Sequence, residues 1–327
     1  MHAPIGYFFL TEPPEESLPV PDFRTMGNDA IGGASPDLLD TVYLSQQRQD
    51  WYRDYARLNR EPPVDFVGSF RAGMDIVEAA TQMSSALSFS PNDRGSNWGE
   101  ALGRLIEAAD RLGVLVMVSG VVGSNTHRKL DPHEFRGFAL ADELAPVIFI
   151  NGADTKAAQI FTLAHELAHI GLGESGVDDA DMSVQVNSAT ERWCNEVAAE
   201  FLVPAELLRS VVLDRNDITE QLERLARRFK VSTLVVLRRF FDVGILTFEQ
   251  FREVYVEELD RVLAIMSSRG SGGNFYNTQP TRVSKRFARA LIESTQEGRT
   301  LYRDAFQMLG FKKLETFNEL ATRLGVG

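Results

Sequence analysis

One ten-residue stretch, FTLAHELAHI at positions 161–170, constrains the fold more than any other part of the sequence. Apolar residues recur in and around it at every third or fourth position, which predicts a helix with one buried face. These residues are Ile160, Leu163, Ala164 and Leu167. A cap at Asp154 or Thr155 begins this helix, and Gly171 or Gly173 ends it.

The same stretch places His165 and His169 four residues apart, so both imidazoles lie on one face of the helix and can share an ion. Glu166 lies one residue beyond the first histidine, about 100° around the helix, where it can reach a water on that ion without ligating it. In this HExxH arrangement the ion lowers the pKa of the water to about 7 and the glutamate accepts its proton. The spacing predicts a zinc-dependent hydrolytic centre with Glu166 as general base.

Such a centre needs a third protein ligand. A metzincin would place a histidine at position 175, which is Ser175 here, so that class is excluded. The following helix, ERWCNEVAAEFL, offers Glu191, Glu196 and Glu200. Glu191 opens a face of small residues that permits close approach to the first helix, whereas Glu196 and Glu200 are expected in solvent. Spacing therefore favours Glu191.

The surrounding pattern predicts an α+β fold that is mostly helical. The run at 114–122, rich in β-branched residues, and the segments at 134–140 and 145–151 are expected as strands of a short sheet before the HExxH helix. A helix capped by Ser35 precedes them and is expected to stop at Pro62. We expect three segments: an N-terminal linker and helix (1–69), a metallopeptidase-like domain (70–215) and a C-terminal helical region (216–327).

Charge, cysteine content and apolar run length argue against several classes of protein. The chain has 34 basic and 46 acidic residues, a net charge of −12, which opposes general binding to nucleic acids or anionic membranes. Its single cysteine, Cys194, cannot form an intrachain disulfide, and neither a signal peptide nor an apolar run of membrane-spanning length is found. A cytoplasmic protein is expected.

FTLAHELAHI followed by ERWCNEVAAEFLVP resembles the ImmA/IrrE family of bacterial metallo-endopeptidases. The resemblance covers residues 114–203 well and implies a compact zincin-like domain, with Zn²⁺ on His165, His169 and Glu191 and with Glu166 as general base. It departs from the family pattern at Cys194 and Val197, where the family has an alanine and an aromatic residue. Longer relatives carry a DNA-binding helix-turn-helix that this chain lacks, so direct DNA binding is not expected.

Three further patterns yield secondary predictions. Residues 136–140 are the candidate edge strand for a substrate that adds as a strand. Residues 222–241 have the shape of a helix-turn-helix but are expected to be a packed helical pair, because apolar residues begin the second helix. A basic stripe, formed by Arg282, Lys285, Arg286 and Arg289, is expected as a solvated face, with contact to an acidic partner or a phosphate backbone as the alternative.

Two functions are compatible with these patterns. The first is a zinc endopeptidase that cleaves a regulatory protein, such as a repressor or antitoxin-like partner, in stress response, mobile-element control or phage defence. The second is a non-proteolytic regulator or antitoxin that uses the same fold to bind a partner such as a toxin. An intact Glu166 favours the first, because a binding module tolerates its loss.

Overall fold

The computed structural model describes residues 18–19, 21, 34–178, 188–209, 211, 217–267 and 282–326. The described part contains twelve helices and four strands, which confirms the α+β, mostly helical class. The first six helices in chain order are α1 (Pro36–Leu58), α2 (Ile76–Leu87), α3 (Trp98–Leu112), α4 (Lys156–Leu172), α5 (Ala189–Leu202) and α6 (Ala205–Leu208). Those that follow are α7 (Ile218–Phe229), α8 (Thr233–Asp242), α9 (Phe248–Ser267), α10 (Lys285–Gln296), α11 (Tyr302–Leu309) and α12 (Leu314–Leu324). The strands are β1 (Leu115–Ser119), β2 (Gly137–Leu140), β3 (Val147–Asn151) and β4 (Gly176–Asp178).

The four strands form one mixed sheet in the order β1-β3-β2-β4. β1 and β3 are parallel, while β2 is antiparallel to both β3 and β4. The prediction that residues 136–140 form an edge strand is wrong, because β4 covers β2 through the pair Phe138 and Val177. β4 was missed because it is three residues long and lies in a polar, acidic segment that reads as a loop.

The outer side of β4 also has a partner. The amide of Val177 donates a hydrogen bond to the carbonyl of Pro21 at 2.9 Å, and Leu18 packs on the apolar cluster that contains Val177. Most of the N-terminal linker expected within residues 1–69 lies outside the described residues.

Both faces of the sheet are buried, because successive side chains of a strand point to opposite faces. On β1, Val116 faces the core built with α2–α5, α7 and α8, whereas Leu115 and Met117 face the core built with α1 and α10–α12. This two-sided burial explains why the strands read as continuous apolar runs rather than as alternating ones. No helix in the described ranges is long and apolar enough to span a bilayer.

The helix-turn-helix candidate is a packed pair, α7 and α8, as the apolar start of α8 predicts. Val235 and Val236 are buried in the larger core, where a DNA-reading helix would expose its first turn. The division into segments at residues 69 and 215 stays a prediction.

The basic stripe binds acidic groups of the same chain. Lys285 Nζ lies 2.8 Å from Glu107 of α3, and Arg286 Nη2 lies 3.0 Å from Glu61. Arg286 Nε also donates to the hydroxyl of Tyr52. Lys285 and Arg289 are exposed, as expected of a solvated face, while Arg286 is half-buried. The stripe therefore lies at the solvent edge of the contact between α10 and the helices α1 and α3.

Candidate metal centre

Helix α4 forms where the sequence predicts it, with a capping residue at each end. The Thr155 hydroxyl accepts a hydrogen bond from the Ala158 amide at the N-terminus, and Gly173 ends the helix in the left-handed conformation with φ of 75°. The predicted apolar stripe from Ile160 to Leu167 is fully buried. The histidines stand one turn apart on this fixed helix, and His165 is fully buried.

Helix α5 packs closely against α4 because the residues between them are small. Ala168 of α4 meets Cys194 and Val197 of α5, together with Ala79 of α2, in a separate fully buried cluster. Small side chains let helix backbones approach, and this approach brings the first turn of α5 beside the histidines. Glu191 lies in that turn and is fully buried.

Three ligand-type atoms converge between the two helices. His165 Nε2 lies 3.1 Å from His169 Nε2 and 3.2 Å from Glu191 Oε2. His169 Nε2 lies 3.3 Å from the same Glu191 Oε2. These side chains form the only metal-type cluster of histidine, cysteine and carboxylate groups within the described ranges.

The triangle fits a zinc ion. A tetrahedral ion with bonds of about 2.0–2.1 Å to nitrogen and oxygen has ligand atoms about 3.3 Å apart, close to the observed separations. Two imidazoles and one carboxylate are a common donor set for catalytic zinc, and three protein ligands leave a fourth position for water or substrate.

The electrostatics of the cluster favour an ionised carboxylate. Burial by itself raises the pKa of Glu191, but hydrogen bonds from His165 and His169 and the charge interaction with both rings lower it below its ordinary value. The ionised form is the one that ligates a cation.

Glu166 lies under the sheet rather than in solvent. It is fully buried, and its Oε1 is 3.1 Å from the place that a Cβ on Gly137 would occupy. The same Cβ would lie 2.6 Å from the Thr162 methyl group and 2.9 Å from the Phe149 carbonyl. Strand β2 can therefore cross α4 at this point only because residue 137 has no side chain.

The other two carboxylates of α5 differ from each other. Glu196 is exposed as expected. The expectation that Glu200 is in solvent is wrong, because it is 7% exposed and pairs with Arg239 of α8. It also accepts a hydrogen bond from the Ala205 amide at 3.1 Å. The α8 partner lies 39 positions along the chain, so no local pattern shows it.

Comparison with known proteins agrees with this geometry. Residues 109–241 match the IrrE N-terminal-like domain of peptidase family M78. This part of the chain is similar to the ImmA/IrrE family. The ImmA/IrrE-like domain contains the sheet up to β4, the HExxH helix α4, the helix α5 that carries Glu191 and the α7–α8 pair. Residues 283–323, which cover α10–α12, match a domain of unknown function, DUF8813.

Two curated relatives are similar to part of this chain. The radiation response metalloprotease IrrE of Deinococcus deserti is 31% identical over 135 residues, which are 36% of this chain and 47% of the relative. The protein of the same name from Deinococcus radiodurans is 35% identical over 91 residues, 26% of this chain and 28% of the relative. The chain thus spans less than half the length of the curated relatives it matches.

Two features around the candidate metal centre are not predicted by any local sequence pattern. One is Gly137, whose need for a bare Cα depends on the crossing of β2 over α4. The other is the loop at residues 66–74, whose amides reach the end of α4 from about 100 positions away. The only local signals are glycines at 137 and 171, which the HExxH spacing does not single out.

Proposed function

We propose that this chain is a zinc-dependent endopeptidase in which His165, His169 and Glu191 hold the ion and Glu166 is the general base. The observation that carries the proposal is the buried triangle of ligand atoms, with separations of 3.1–3.3 Å, beside a buried glutamate. The family of residues 109–241 and the names of its relatives support a peptidase rather than another zinc hydrolase.

The chain's own residues supply the proton transfers. Zinc, when bound, acts as a Lewis acid that acidifies a water and polarises the scissile carbonyl. Glu166 accepts a proton from that water as the water oxygen bonds to the carbonyl carbon. It then delivers the proton to the amide nitrogen as the carbon–nitrogen bond breaks, so one water is consumed and an acid and an amine are released.

The burial of Glu166 suits this role. Burial keeps this carboxylate out of contact with bulk water. Its position under Gly137 also fixes its distance from the sheet, and fixed geometry is what general-base catalysis requires.

We infer further that the substrate is a specific regulatory protein, such as a repressor or antitoxin-like partner. Support comes from the similarity to two relatives that are named radiation response metalloproteases, a name that links those relatives to a stress response. A net charge of −12 favours a basic partner at long range.

Co-expression with the proteins encoded beside this chain tests the proposal. A neighbour that is cut by the wild type and spared by Glu166→Gln establishes an endopeptidase, because the amide cannot accept the proton but occupies the same space. Equal survival of every neighbour with both proteins contradicts proteolysis and favours the non-proteolytic regulator.

A further inference from the structure

The loop at residues 66–74, here called the clamp loop, joins the C-terminal end of α4 to the first turns of α5. Its amides reach α4 at two points. Gly68 N–H donates to Ile170 O at 3.1 Å, and Phe70 N–H donates to Gly171 O at 2.8 Å. Carbonyls in the last turn of a helix lack the amide four residues on that would pair with them, so the clamp loop supplies donors to this end of α4. Ile170 O also accepts from Gly173 N–H at 3.0 Å.

The ring of Phe70 packs directly on α4. A methyl group at residue 171 would overlap this ring, whose Cγ lies 3.0 Å from the Cβ position. Gly171 is therefore required by the ring, and it stands two residues after the ligand His169. The ring is 4% exposed, so it is a packed contact and not a surface one.

The same ring packs on α5. Phe70 and Trp193 make an edge contact with centroids 5.9 Å apart and planes at 67°. The indole of Trp193 donates to the carbonyl of Met74, at the other end of the clamp loop, at 2.8 Å. Trp193 stands two residues after the ligand Glu191.

One side chain thus touches both helices that carry ligands, each within two residues of a ligand. The histidine and carboxylate atoms must hold their separation to within a few tenths of an ångström for zinc to bind tightly. We propose that Phe70 is a positioning residue for the metal centre, fixing the spacing of α4 and α5 and so setting the affinity for zinc. The proposal rests on the metal centre of the proposed function and adds a residue outside the HExxH pattern.

The test compares zinc affinity in Phe70→Ala and in a matched control, Phe89→Ala. Phe89 is equally buried, at 3% exposure, and lies in the same core cluster. Its ring stacks on Phe201 of α5 at 5.8 Å, ten residues beyond Glu191. Both variants lose a phenyl ring from the same apolar core. Only Phe70→Ala loses a ring that contacts residues close to His169 and Glu191.

Zinc affinity of the full chain is measured by competition with a chromophoric chelator, and folding by circular dichroism of the metal-free proteins. Phe70→Ala is expected to weaken zinc binding by about 10- to 100-fold, as loss of an outer-shell support does. Phe89→Ala is expected to lower the unfolding midpoint to a similar degree and to leave zinc affinity at the wild-type value. Phe70→Leu keeps an apolar contact on both helices. Its zinc affinity is expected to lie between that of Phe70→Ala and that of the wild type.

Equal zinc affinity in folded Phe70→Ala and the wild type overturns the proposal, and so does equal weakening by both alanine variants. If Phe70→Ala does not fold, the same comparison is made with Phe70→Leu, and wild-type affinity in that variant is the contradicting result. A different failure, in which wild-type protein binds zinc but cuts no better than Glu166→Gln, contradicts the proposed peptidase and leaves the role of Phe70 standing.

Discussion

The Cα of Gly137 on β2 lies directly over the carboxylate of Glu166 on α4, with only 3.1 Å between Oε1 and the place of a Cβ. The sheet and the HExxH helix meet at this point without a side chain between them. Strand β2 on one side and helix α4 on the other therefore fix the position of Glu166, the proposed general base.

Gly137→Ala is expected to displace Glu166 and to reduce proteolysis by about 100-fold, since a shift of about 1 Å in a reacting group has that cost. Zinc content should be unchanged, because the three ligands lie on α4 and α5. Cleavage of the partner found by co-expression and zinc content are measured together.

Gly103→Ala is the control for this substitution. Residue 103 lies on α3, and a Cβ there would have no atom within 4 Å. This change should keep activity and raise stability by up to about 1 kcal/mol through helix propensity. Full activity in Gly137→Ala would contradict the account of the strand crossing.

Arg239 binds Glu200 in a buried ion pair and also donates from Nε to the Val203 carbonyl at 3.1 Å. Arg239→Met leaves a buried carboxylate without its cation and is expected to lower the free energy of unfolding by about 3–5 kcal/mol. Adding Glu200→Gln to that variant should recover part of the loss, because no charge then remains buried. Denaturant unfolding of the single and double variants measures both values, and a double variant no more stable than Arg239→Met would contradict the pairing.

Asp110 on α3 accepts a hydrogen bond from the Ser284 hydroxyl of the DUF8813 segment at 3.1 Å. Burial raises the pKa of this carboxyl to about 6, and the Ser284 hydrogen bond offsets only part of that effect. Because the folded-state pKa exceeds the unfolded value of about 3.9, ionisation opposes folding. The cost is absent below about pH 4, grows as pH rises to about 6 and is constant above that.

Asp110→Asn removes this cost. The variant should match the wild type in stability near pH 4 and exceed it near pH 7.5 by up to about 3 kcal/mol. Urea unfolding midpoints of both proteins at the two pH values test this. A difference that does not change with pH would show that burial does not raise the pKa of this carboxyl.

The sequence predicts the parts of this molecule that depend on neighbours in the chain. Helix α4 follows from local periodicity, and its caps Thr155 and Gly173 are each one of the two residues expected at that end. The convergence of Glu191 on the histidines follows from a small-residue face on α5. Helix α1 begins at the predicted cap but ends at Leu58 instead of Pro62, because Asn59 caps it first.

Local sequence patterns do not predict features that depend on contacts between residues far apart in the chain. β4 is recognised as a strand only through its pairing with β2, and Glu200 is buried only because Arg239 arrives from α8. The need for glycine at 137 and 171 arises from a strand and a ring that cross α4 from elsewhere in the chain. Local periodicity carries no information about these crossings.

Zinc content after dialysis against a zinc buffer tests the central claim most directly, with wild type, His165→Ala, Glu191→Gln and Glu166→Gln measured side by side. The geometry of the triangle predicts about one zinc per chain in the wild type and in Glu166→Gln, and little or none in the two ligand variants. A folded wild-type protein that stays free of metal, or a Glu191→Gln variant that binds zinc as fully as the wild type, would contradict the proposed metal centre.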